Sequence, residues 1–153
     1  KDFVIWTVDD EEVVTSGLGP KVSANTYVSF DYFMSIDTPN NKAFLEKFKA
    51  KFGQDALVNT VGVGMYNAAH MAAMAIAKAG DVSTKSLRAN LKGLTFDKAP
   101  QGSITMREND NQAIVPSYLM KVRDNWTGVN DMFEKVQSLD RAVPLDARCD
   151  LPL

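Results

Sequence analysis

Apolar residues along this chain follow three different rhythms. Phe3–Thr7 (FVIWT) is a continuous apolar run of strand length, which predicts a buried parallel strand rather than one with a wet face. Asp9, Asp10, Glu11 and Glu12 follow at the start of a short helix ending near Gly17. Carboxylates there face the positive end of the helix dipole and can cap free N–H groups. Gly17-Leu18-Gly19-Pro20 stops that helix. Thr26–Phe33 (TYVSFDYF) is rich in aromatic and β-branched residues, so a second strand is expected.

The rhythm then becomes helical. Thr38-Pro39 is a start signal, with a hydroxyl at the N-cap and proline at the first helical position. Phe44, Leu45, Phe48 and Phe52 make an apolar stripe opposite Lys42, Glu46, Lys47, Lys49 and Lys51, and Gly53 closes the helix. A second, alanine-rich helix is predicted over Val61–Ala79 with Gly80 as its stop. Its small side chains suit close packing. A third is capped by Ser83, with Leu87, Leu91 and Leu94 at core spacing. Beyond Phe96 the period falls to two. Strands are expected over Ser103–Arg107 and Ser117–Arg123 around the polar stretch Glu108–Gln112. A turn follows at Asp124–Gly128, then a last strand over Met132–Gln137 and an irregular tail from Arg141. Strands alternating with helices define an α/β class.

Composition narrows the function classes. The chain has 153 residues, 45% of them apolar and 24% charged, with a formal charge of −2. Those values suit one globular region. No apolar run approaches the roughly 20 residues a bilayer requires, and lysine and arginine form no stripe to attract phosphates, so nucleic acid is not an expected partner. Cys149 is the single cysteine, so an internal disulfide is impossible. No nucleophile elbow, zinc pair or phosphate loop occurs, and neither enzymatic activity nor a cofactor is expected.

Three segments in order carry a family resemblance. The first is Asp31-Tyr32-Phe33-Met34-Ser35-Ile36-Asp37-Thr38-Pro39 leading into FLEKFKAKFG. The second is the Tyr66-containing alanine helix closing on Ala79-Gly80. The third is the turn Phe96-Asp97 with Ala99-Pro100-Gln101-Gly102. Together with the weaker Phe3–Gly19 segment, the chain resembles the type I periplasmic solute-binding proteins of ABC importers, closest to the amide, urea and branched-chain amino-acid binders. Two departures stand out: an extra residue, Lys98, in the third segment, and Asn109-Asp110-Asn111 where urea binders often carry Asn-His-His.

The resemblance implies the carboxy-terminal part of an incomplete two-lobe fold. Residues 1–30 and 116–153 would be second-lobe-like, and 32–115 first-lobe-like. It also implies a periplasmic protein that captures a small polar solute by hinge closure and delivers it to an ABC permease. A ligand-sensing regulator of the same fold is the alternative. Open sheet edges and apolar faces left by an incomplete fold favour pairing with another chain, so a homodimer or a strand-exchanged assembly is expected.

Candidate residues follow from position. Thr7, Asp9 and Asp10 lie where a strand ends and a helix begins, and ligands gather at such ends in open α/β sheets. Ordinary helix capping explains the same residues. Asp31, Tyr32 and Phe33 border the expected cleft as hinge or wall residues, with Tyr32 a candidate ligand contact, although strand aromatics also serve as plain core. Tyr66 suits a packed helix position with its hydroxyl on a partner. His70, the only histidine, has no clustered companions, so no metal site is expected.

Overall fold

The computed structural model describes residues 3–140. Strands β1 (Ile5–Val8) and β2 (Thr26–Phe30) run parallel, with Thr7 opposite Val28 and Val8 opposite Ser29. Between them lie helices α1 (Glu12–Leu18) and α2 (Pro20–Ser23). Strand β6 (Ser117–Val122) pairs antiparallel with β2, and β7 (Phe133–Leu139) with β6, giving the order β1-β2-β6-β7. The period-two pattern of β6 buries Tyr118, Met120 and Val122 on one face. One expectation fails at β1. It is parallel to β2 but sits at the sheet edge, and Phe3 and Trp6 are 81% and 66% exposed. A continuous apolar run reports that both faces are suited to burial, and here only Thr7 is partly covered.

The helical part lies between β2 and β6 in sequence. Helix α3 (Pro39–Phe52) begins as expected, the Thr38 hydroxyl accepting from the Asn41 N–H at 3.0 Å. Phe44, Leu45 and Phe48 are half-buried, whereas Phe52 is exposed. Helix α4 (Thr60–Ala79) is capped by Asn59 and ends at Gly80, whose φ of 73° is the left-handed geometry glycine adopts without penalty. Helix α5 (Thr84–Leu91) is capped by Ser83, and Leu87, Leu91 and Leu94 reach only half-burial. Strands β3 (Thr95–Phe96), β4 (Ile104–Met106) and β5 (Ala113–Ile114) form a small antiparallel sheet.

Sequence patterning missed α2, β3 and β5, all too short to show a period. It also ran β2 three residues past its end at Phe30. The tail from Arg141, with Cys149, lies outside the described residues. Among the described residues, no helix is long and apolar enough to cross a membrane.

Two connections join the four-stranded sheet to the helical part, residues 31–38 and 115–116. The first is the centre of the molecule. Tyr32, Phe33, Met34 and Ile36 are buried in a core that runs from Val28, Met120 and Phe133 of the sheet side to Val58 and Val63 of the helical side. Asn41 fixes its path: Nδ2 donates to the carbonyls of Met34 (2.9 Å) and Ile36 (2.8 Å), and Oδ1 accepts from the Tyr32 hydroxyl (3.0 Å). The turn with the extra Lys98 is pinned to the start of α3. There the Thr38 hydroxyl donates to the Pro100 carbonyl and Asn40 Nδ2 to that of Asp97, each at 2.8 Å.

Candidate ligand-binding site

Parallel pairing brings the carboxyl ends of β1 and β2 side by side, so Asp9 and Asp10 leave one strand beside the point where Asp31 leaves the other. Asp9 adopts φ 72°, a left-handed conformation uncommon outside glycine and tolerated best by Asn and Asp. Thr7 Oγ1 and Asp31 Oδ1 are buried at these ends with no hydrogen-bond partner. Buried polar atoms without partners are rare and call for an explanation.

The acids do not cap α1, contrary to the sequence reading. Glu11 occupies the N-cap position without a side-chain cap bond. Glu12 turns inward instead. It is fully buried, and its Oε1 accepts the Ser35 N–H at 2.9 Å. The Asp10 carbonyl accepts from the Thr15 hydroxyl at 2.7 Å.

Burial pushes the carboxyl groups of Glu11, Glu12 and Asp31 above their ordinary range, and Asp9 raises both Glu11 and Asp31 further by like-charge repulsion. Partners pull Asp37, Asp81, Asp110 and Asp131 the other way. The raised groups hold more protons folded than unfolded, so their contribution is full below the ordinary carboxylate pKa and is lost as pH rises through the raised values. The lowered groups contribute fully above the ordinary range and lose this only as pH falls through their depressed values. Stability is therefore expected to peak near the ordinary carboxylate pKa of about 4 and to decline toward neutrality. Urea midpoints from pH 4 to 8 would show this, and a flat profile in E11Q/E12Q/D31N would assign it.

Asp31 also lines a cavity of about 330 Å³ along α4, walled by Met71, Ile104 and Val115. Asn67 and Gln101 supply its polar side. Asn67 Nδ2 donates to Gln101 Oε1 at 3.0 Å, leaving Asn67 Oδ1 buried and unpartnered. Sequence reasoning missed Asn67 and Gln101, because an amide on an apolar helix and another after a turn carry no motif.

Of the sequence candidates, Thr7, Asp9 and Asp10 cluster at the strand ends and Asp31 joins them. Tyr32 does not. Its side chain has no exposed surface, and its hydroxyl is committed to Asn41, so it offers a ligand nothing in this structure. Phe33 likewise packs edge-on against Phe133, ring centroids 5.0 Å apart. Tyr66 lies half-buried between Phe44 and His70, and His70 stacks on Phe96 at 5.1 Å. Among the described residues no three potential ligand groups converge on a metal position.

An α/β chain with acceptors at parallel strand ends fits the class of solute-binding folds. A family profile described as periplasmic binding protein matches residues 2–127, and the chain belongs to that family. Its α/β fold is that of the type I periplasmic binding proteins.

An amino acid ABC transporter substrate-binding protein from Pseudomonas fluorescens Pf-5 superimposes with TM-score 0.79 over 95% of this chain and 38% of its own, at 23% identity. A leucine-, isoleucine-, valine-, threonine- and alanine-binding protein from Brucella ovis, in a closed conformation, gives 0.77 over 95% and 40%, at 16% identity. A solute-binding protein of an ABC transporter from Rhodopseudomonas palustris HaA2, in complex with p-hydroxybenzoic acid, gives 0.70 over 90% and 37%, at 21% identity. At these identities the likeness shows the fold alone. A curated relative named limonene hydroxylase, from Geobacillus stearothermophilus, is 28% identical over 127 residues, which are 83% of this chain and 22% of that protein. The chain thus spans well under half the length of each of these proteins.

Proposed function

We propose that this chain is the carboxy-terminal part of a periplasmic solute-binding protein that delivers a small polar solute carrying N–H donors, a short amide, urea or an aliphatic amino acid, to an ABC permease. The supporting observation is the pair of unpartnered acceptors, Asp31 Oδ1 and Asn67 Oδ1, on residues that line an apolar-walled cavity. Acceptors without donors call for a ligand that donates, and buried negative groups disfavour a second anion. That chemistry favours amides and ammonium groups over aromatic carboxylates such as the p-hydroxybenzoic acid held by one structural neighbour. In this reading the sheet with α1 and α2 forms one unit, α3–α5 with the small sheet forms the other, and the two connections are the hinge. Closure is driven only by contacts the ligand gains in the closed state.

Titration calorimetry with acetamide, urea, leucine and benzoate tests the chemistry. Binding is expected among the first three, weakened about tenfold or more by D31N through loss of one charge-assisted contact. Binding of benzoate alone, or strengthened in D31N, would overturn the assignment. Pairing of two copies through the open β1 edge belongs to the same proposal, because that strand exposes Ile5, Trp6 and Val8. A monomer mass by light scattering at high micromolar concentration would remove it.

A further inference from the structure

We propose that Glu12 is the positioning residue that seats the crossover between the two units and so sets the angle at which they meet. The inference rests on the two-unit hinge reading above. A side-chain bond from the sheet unit lies at or beside each connection. Beside residues 115–116 it is the Tyr118 hydroxyl of β6, donating to the Gln101 carbonyl at 2.5 Å. At residues 31–38 it is Glu12 Oε1, accepting from the Ser35 N–H. The two bonds differ in kind. The tyrosine bond is neutral at any pH near 7, whereas the glutamate bond is made by an ionisable group with no exposed surface.

What makes this contact switchable is a buried carboxyl group beside a buried hydroxyl. Glu12 Oε2 and Ser35 Oγ are both buried without a partner. Either protonation state can pair them, the neutral carboxyl donating its O–H to the serine oxygen and the ionised one accepting the serine O–H, so the difference between the states lies in the buried charge. An ionised carboxylate keeps the amide bond but leaves a buried charge with no cation to offset it, a costly arrangement. The ionisable groups facing Glu12 are Tyr32 from the crossover and Glu11 from the lead into its own helix, neither of them a cation. Burial holds the Glu12 proton above the ordinary carboxylate range, so the switch from a firm to a loose seat comes as pH rises through that raised value. A loosened seat frees residues 31–37, and the helical unit can then swing on them.

Dyes at K51C on α3 and E134C on β7, both exposed positions, in a C149S background report the distance between the units without any ligand. The wild-type distribution is expected to broaden and shift as pH rises from 4.5 to 8. E12Q keeps the acceptor for Ser35, places an N–H donor toward its hydroxyl and cannot ionise, so its distribution should stay narrow throughout. E12A should be broad at every pH, with the Ser35 amide exchanging hydrogen about tenfold faster, the equivalent of one lost hydrogen bond. Should E12A not fold, the pH response of E12Q against wild type decides alone. A pH response identical in E12Q and wild type leaves the hinge standing and removes Glu12 from it. A distance that never varies, in any variant or at any pH, removes the hinge itself.

Discussion

Phe33→Ala is expected to cost about 3–5 kcal/mol, the usual range for deleting a fully buried phenylalanine ring. Phe33 has no exposed surface and meets Phe133 edge to face, interplanar angle 64°. It also belongs to the core that runs from the sheet side to the helical side, so neighbours on each side would have to shift to fill the void. A domain of ordinary stability has about 5–15 kcal/mol in total, and the variant would lose much of it. Urea denaturation checks this: the midpoint should fall sharply with little change in slope. Phe52→Ala, at the exposed end of α3, is the matched control and should change stability by about 0.5 kcal/mol or less. Equal effects would mean the core does not run through the crossover.

Asn41→Ala should be nearly as damaging, for a polar reason. It strips partners from the Met34 and Ile36 carbonyls and from the Tyr32 hydroxyl in one step. A buried group left unpaired costs about 1–3 kcal/mol. With partial relaxation of three such groups, a loss of about 3–5 kcal/mol is expected from the same penalty. Tyr32→Phe removes only one of these bonds and should cost about 1–2 kcal/mol. It also separates structure from function: since Tyr32 is sealed in the core, Y32F should leave solute affinity unchanged. A large affinity loss in Y32F, with the fold intact, would return Tyr32 to the site.

Much of this was legible in the sequence where signals are local. Thr38-Pro39 and Gly53 bound α3, and Gly80 ends α4, because caps depend on a few adjacent residues. The family resemblance rested on the same kind of ordered local signal, and the profile match over residues 2–127 agrees with it. Burial was less legible. The apolar run of β1 was read as buried, yet the strand lies at an edge, since periodicity reports what a strand can bury and not what is there to cover it. The acids at positions 9–12 were read as caps, but Glu12 turns inward to Ser35, a partner 23 positions away.

The sequence by itself determined the α/β class, the start and end of the long helices, the strand at β6 and the strand-end position of Thr7, Asp9 and Asp10. Each depends on periodicity, caps or turn residues within a few positions. Only the tertiary structure decided that Tyr32 belongs to the core, that Asp31 stands beside Asp9, and that Asn67 and Gln101 face each other across a cavity. Those facts depend on parallel register and on contacts between residues tens of positions apart. No local pattern encodes them, because an aromatic, an acid or an amide has the same propensity whichever neighbour the fold brings to it.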